Sequence, residues 1–163
     1  MKKKDIIILA VGIAVFPPIW AVLSGHIGVT VGPVALICAG IYVASSGTPA
    51  IGLRQSASYI VAVGWTLLAM KLLEVLPFGA DVNLYVVLFV MGGVAVLIAC
   101  SLPKVFDLPA WLGGWAIGLT VIAPKGLSGM GTLPIQVLVA MLVGVWYVGY
   151  GVSVFQGLFS KKK

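Results

Sequence analysis

Apolar residues fill six long stretches of this chain, and polar residues gather in the gaps. The runs lie at about 5–23, 27–44, 57–76, 84–100, 110–123 and 134–155. They are continuous rather than alternating, which predicts helices and excludes the in–out pattern of a membrane β-barrel. A helix of about 20 apolar residues crosses a bilayer core roughly 30 Å thick, and lipid leaves no unpaired backbone group solvated. Six such helices take up about 120 residues of the 163 available. The pattern therefore predicts an all-α integral membrane protein: a compact six-helix transmembrane bundle forming a single domain over 1–163. The fifth run is the shortest, and its start is ambiguous.

Composition agrees. Hydrophobic residues make up 61% of the chain and charged residues 9%, against about 25% charged in soluble domains. So little charge excludes a soluble globule, and so much hydrophobicity excludes disorder. With the N-terminus inside, the cytoplasmic segments 1–4, 45–56, 101–109 and the C-terminal tail contain Lys2, Lys3, Lys4, Arg54, Lys104, Lys161, Lys162 and Lys163. Only Lys71 and Lys125 fall on the other side, with Glu74 and Asp81. By the positive-inside rule both termini are expected in the cytoplasm, and Arg54 and Lys104 carry the same bias without the terminal lysines. The net charge of +6 then reports topology, with the bilayer rather than nucleic acid as partner. The first run resembles a signal peptide after Lys2-Lys3-Lys4. It contains Pro17-Pro18, lacks an A-x-A site and leads straight into another apolar run, so it reads as a retained helix.

Helix breaks and small residues come next. Pro17 and Pro18 fall inside the first run and Pro33 inside the second, where each removes a backbone donor. Such positions are either packed kinks or short broken and re-entrant helices lining a solute path. Twenty-one glycines include the spacings Gly28/Gly32 and Gly114/Gly118 and the pair Gly92-Gly93, which predict close helix packing. A shift of 60 residues superposes Val34-Ala35 on Val94-Ala95, Ala39 on Ala99 and Pro49-Ala50 on Pro109-Ala110. This is a weak internal repeat running in the same direction, a feature of transporter folds.

Candidate chemistry is sparse. No run has a charge near its middle, which argues against a pump or proton-coupled symporter. Glu74 lies near the end of the third run, three residues after Lys71: an interfacial pair with a snorkelling lysine, or a coupling carboxylate. His26, the only histidine, falls in the turn after the first run as a gating candidate or a plain turn residue. Ser45, Ser46, Thr48, Ser56, Ser58, Thr120, Ser128 and Thr132 offer hydroxyls either to a solute or to helix carbonyls. Trp20 and Trp65 join Pro17 and Pro18 as solute-path candidates, although aromatic belts account for most tryptophans. Cys38 and Cys100 lack metal or redox spacing and read as buried thiols. Neither a catalytic triad nor a metal motif occurs, so no enzyme activity, metal or cofactor is expected.

Two resemblances follow from particular residues. Ile19-Trp20-Ala21-Val22, Gly25, Gly32 through Ala44 with Tyr42, Gly52-Leu53 and Gly64-Trp65 form one set. Ser101-Leu102-Pro103, Pro109, Gly113, Ala123, Gly144 and Gly149 form the other. Together, over about 14–155, they resemble the uncharacterised family of small bacterial inner-membrane proteins that includes YcdZ. The resemblance implies a bacterial inner-membrane location and assigns no activity. The stretch Leu102–Pro109 is also similar to the Leu-Pro…Thr…Pro segments of urea-channel repeats. It departs from them by one extra residue between the prolines and by Asp107 in place of threonine.

Three functions are compatible with these features. The expectation is a channel or facilitator for a small neutral polar solute, assembled as a homo-oligomer because six short spans leave little width for a pore. A coupled secondary transporter would need Glu74, His26 or unwound backbone at an ion site. A non-transporting assembly or scaffold protein would use the glycine faces alone.

Overall fold

The computed structural model describes residues 3–159, with side chains from Asp5. Lys2, Lys161, Lys162 and Lys163 lie outside the described residues, as do the side chains of Lys3 and Lys4. Among the described residues all regular structure is helical. We label the helices α1 (Lys3–His26), α2 (Val34–Ala44), α3 (Pro49–Val75), α4 (Ala80–Ser101), α5 (Leu108–Val121) and α6 (Leu133–Phe159). A 3₁₀ turn (Ala123–Lys125) and a single α-turn (Gly126–Gly129) separate α5 from α6.

Four of these, α1, α3, α4 and α6, are long and apolar enough to cross a membrane. That gives the chain the character of a membrane protein. The other two fall short of the expected six spans. α2 has 11 residues and α5 has 14, or about 16 and 21 Å at 1.5 Å per residue, against a core of roughly 30 Å. The second expected span, 27–44, is cut by its own backbone chemistry. Gly28 takes φ +76°; its N–H donates to the Gly25 carbonyl at 3.3 Å and that of Val29 to Ser24 at 2.9 Å. This is a Schellman termination of α1. Pro33 then stands before α2 as its N-cap, not inside a span. The third span starts earlier than expected, at Pro49, because Thr48 caps it: Ile51 N–H donates to Thr48 Oγ1 at 3.4 Å, with proline at the favoured first position.

α2 ends on the same motif as α1. Gly47 N–H donates to the Tyr42 carbonyl at 3.1 Å and Ser46 N–H to Val43 at 3.3 Å. Here, however, the left-handed residue is Ser46, at φ +75°. A Cβ is strained in that region and glycine is not. Ser46→Gly is therefore expected to stabilise the fold by about 0.5–1 kcal/mol, read as a higher thermal midpoint in detergent. An unchanged or lower midpoint would show that the serine is not strained.

The chain divides into two compact units, residues 1–52 with 139–163 and residues 53–138. In the first unit, α2 buries Val34, Ala35, Cys38, Ala39 and Tyr42 on one face. The facing part of α6, Gly144–Tyr150, is π-wound. In an α-helix residues five apart point about 140° apart, whereas i→i+5 bonding brings them near one face. That winding lets Gly144 rest on the Ala35 backbone and Gly149 on the Tyr42 ring. Gly12 meets Val152, Gly151 meets Phe16, and Phe16 packs against Tyr147 at 5.4 Å.

In the second unit, α4 presents Val87, Met91, Ala95 and Ala99 at four-residue spacing to a core containing Ala62, Ala69, Trp111 and Trp115. Gly114 and Gly118 of α5 sit where a methyl group would strike Tyr59 and Ala62, and Thr66, respectively. As for the 60-residue repeat, Pro49 and Pro109 both lie in a helix's first turn, but residue 34 opens α2 while residue 94 lies inside α4.

Candidate functional site

The two proline candidates stand in a helix that is continuous from Lys3 to His26. Having no N–H, Pro17 and Pro18 leave the carbonyls of Ile13 and Ala14 without their usual donors. Beside them lies a cleft of about 440 Å³ whose walls include Pro17, Pro18, Trp20, Gly32 and Pro33. Trp20 is buried, and its indole N–H donates to the Gly32 carbonyl at 3.0 Å. Ser24, also buried, donates to Ala21 at 3.1 Å. Apart from the carbonyl that Pro17 frees on Ile13, the cleft is lined mainly by apolar groups.

The remaining candidates do not converge. Ser45 is the half-buried C-cap of α2, Thr48 caps α3, and exposed Thr120 donates to Ala116 in its own helix at 2.8 Å. Ser128 is exposed in the single turn before α6. His26 is the exposed last residue of α1, not a residue of the following turn; Glu74 and Lys71 are both exposed near the end of α3. The glycines divide sharply. A methyl group at Gly32 would come within 2.5 Å of Ser24 Oγ, and one at Gly92 would touch Trp115 at 3.9 Å. At Gly28 and Gly93 it would meet nothing within 4 Å. Gly28 is there for its backbone angle rather than for packing. Cys38 is buried, whereas Cys100 is exposed at the end of α4, contrary to the buried thiol expected.

A denser polar cluster lies within the second unit, at the start of α5. The N-terminal part of α3 carries Arg54, Gln55 and Ser58 on neighbouring turns, and they hold the segment leading into α5. Arg54 donates to the Pro103 carbonyl at 2.9 Å. Ser58 Oγ accepts from Asp107 N–H at 2.8 Å, and Gln55 Nε2 donates to Asp107 Oδ1 at 3.4 Å. Asp107 Oδ1 also accepts from Ala110 N–H at 3.0 Å, so the carboxylate is the N-cap of α5 and complements the positive end of its dipole.

Within the same unit lie buried polar atoms that have no hydrogen-bond partner: Gln55 Oε1, Trp111 Nε1 and Trp115 Nε1. Gln55 is 0% exposed and Trp111 1%. Trp111 and Trp115 follow Asp107 at successive four-residue steps, each about 6 Å along α5. Asn83 Oδ1 is likewise unpaired, while its Nδ2 donates to Leu76 in the short loop between α3 and α4. It therefore marks the opposite end of these helices. Trp65, a sequence candidate, belongs here too: it packs edge-on to Trp111 at 5.6 Å and donates to the Met91 carbonyl at 3.3 Å. Phe106 also packs edge-on against Trp111 at 5.0 Å.

Gln55, Asn83, Trp111 and Trp115 were not among the site residues expected from the sequence. The legible signal was an uncharged amide within or beside a strongly apolar run, where every polar side chain needs a partner. Among the described residues no group of three or more His, Cys, Asp or Glu side chains could hold a metal.

Fold and site together define a helical membrane-type protein whose second unit buries uncharged polar side chains. The chain belongs to a family described as "Protein of unknown function (DUF1097)", whose model matches residues 10–157. No curated protein matches it. No solved structure matches it either.

Proposed function

We propose that this protein is a membrane channel or facilitator for a small, neutral, polar solute, resident in the bacterial inner membrane as a homo-oligomer with both termini cytoplasmic. One observation carries the reading: the unpaired polar atoms of Gln55, Trp111, Trp115 and Asn83 inside the second unit. Each such orphan costs about 1–3 kcal/mol. Four amount to roughly 4–12 kcal/mol, comparable with the whole stability of a domain. A transient partner that both donates and accepts hydrogen bonds explains their retention. All four side chains are uncharged, which favours a neutral passenger. They are closed to solvent in this conformation, so passage requires a side chain such as Gln55 or Trp111 to swing aside.

Coupled transport has less support, because Glu74 and His26 are both exposed at helix ends. The scaffold reading rests on the outer face of α4, where Tyr85 and Phe89 stack at 5.9 Å while 68% and 70% exposed. Stopped-flow measurements on proteoliposomes, with water, glycerol and simple amides as probes, separate the three. Rapid gradient-independent flux of a neutral probe is expected. Uptake only with an ion gradient would favour the transporter, and no flux above empty vesicles would favour the scaffold; either result overturns the channel.

A further inference from the structure

We propose that Asp107 is a positioning residue that makes the channel selective for solutes able to donate a hydrogen bond. This selectivity rests on the channel reading above and adds the chemistry of the passenger. Gln55 and Ser58 lie three residues apart on α3, where side chains share one helix face, and together they clamp residue 107. Ser58 Oγ accepts from the Asp107 backbone N–H at 2.8 Å, and Gln55 Nε2 donates to Asp107 Oδ1 at 3.4 Å. That oxygen is not free to turn, because it also accepts from Ala110 N–H at 3.0 Å as the cap of α5.

A carboxylate accepts hydrogen bonds and donates none, whereas an amide does either, according to the end it presents. Gln55 must therefore face Asp107 with its NH₂ group, and its oxygen is left over. The side chain is 0% exposed, and that oxygen has no partner. The same polarity recurs at the opposite end of α3. Asn83 Nδ2 donates to the Leu76 carbonyl at 2.8 Å, another acceptor with no proton to give, and Asn83 Oδ1 stays unpaired. Both buried amides are held by acceptor-only partners, and in both the oxygen remains. A solute carrying N–H or O–H satisfies such an oxygen. One carrying only lone pairs leaves it bare.

Asp107→Asn tests the lock, since asparagine caps a helix about as well as aspartate. Its side-chain oxygen keeps the Ala110 bond while its new NH₂ group faces Gln55, whose amide must then turn over. In proteoliposomes, acetamide and dimethyl sulfoxide serve as neutral probes of equal heavy-atom count, and only acetamide donates. Wild type is expected to pass acetamide at least about tenfold faster than dimethyl sulfoxide, after subtraction of empty vesicles. Asp107→Asn is expected to lower that ratio at least about fivefold. NMR reads the amide without any flux. Gln55 Nε2 and Ala110 N–H share one oxygen, so their protons are expected to give a nuclear Overhauser cross-peak in wild type and none in Asp107→Asn. Its loss in Gln55→Leu assigns it. The wild-type ratio and cross-peak decide the matter if Asp107→Asn does not fold. Flux of neither probe would overturn the channel reading and this selectivity with it. Flux without preference, a preference unchanged in Asp107→Asn, or a cross-peak absent from wild type or kept in Asp107→Asn would overturn the selectivity alone. A sodium current carried by wild type across planar bilayers would also overturn it, by giving the oxygens to a cation.

Discussion

Gly144→Ala is expected to be the most damaging single-methyl substitution in the first unit, costing more than about 4 kcal/mol, a range reached only by exceptional substitutions. The reason is the identity of the neighbour. A Cβ at Gly144 would collide with the carbonyl and Cα of Ala35, which are backbone atoms of α2. Overpacking usually costs about 1–3 kcal/mol because side chains rotate aside; a helix carbonyl can move only if the helix moves. Gly118→Ala presents the milder case, since its Cβ meets the Thr66 side chain, and about 2–3 kcal/mol is expected. Gly93→Ala provides the control. Its Cβ would meet nothing within 4 Å, so a change within about 0.5 kcal/mol is expected. Thermal midpoints of the three purified variants in one detergent give the ranking. If Gly144→Ala unfolds no earlier than Gly93→Ala, the close approach of α2 and the π-wound segment is wrong.

The same comparison shows what the sequence could and could not reveal. Gly28/Gly32 and Gly114/Gly118 share one spacing, yet only the second pair stands one turn apart on a helix with Tyr59, Ala62 and Thr66 opposite. In the first pair Gly28 ends α1 at φ +76°. The spacing rule holds only where both residues are helical, and that was the point in question. Long apolar runs were read correctly as helices because burial in lipid asks for nothing more specific. Their breaks were legible in principle, from Thr48-Pro49 and Asp107-Leu108-Pro109, since caps are local chemistry. The π-winding at Gly144–Tyr150 was not, because any helical phase fits an almost wholly apolar stretch.

The candidate site divides along the same line. Pro17, Pro18 and Trp20 do stand together at one cleft, because they are near in sequence. Trp65 meets Trp111 only through a contact between residues 46 apart, which no local pattern encodes. The hydroxyls at Thr48 and Thr120, open in the sequence to a solute or to local helix backbone, are used by nearby backbone. Ser and Thr reach local backbone groups more easily than anything distant. Gln55 differs because its longer side chain reaches Asp107 and still leaves one oxygen over.

Gln55→Leu and Trp111→Phe are expected to make the protein more robust and less active. Leucine nearly conserves the volume of Gln55, removes the unpaired Oε1 and sacrifices only a long 3.4 Å bond to Asp107. Asp107 keeps its capping bond to Ala110. Removing a buried orphan is worth about 1–3 kcal/mol, so a gain of about 1–2 kcal/mol is expected after the lost bond. Phe at 111 keeps aromatic contact with Trp65 and Phe106 while deleting the orphan N–H; the smaller ring leaves a void that offsets part of the gain. If these atoms serve only packing, flux is unaffected and stability rises. If they hydrogen-bond a passing solute, each variant lowers neutral-solute flux at least tenfold, or about 1.4 kcal/mol of barrier, while its thermal midpoint rises or holds. Opposite movement of stability and rate distinguishes a working site from a packing defect. Misfolding would lower both together, and a stable variant with wild-type flux would remove Gln55 and Trp111 from the path.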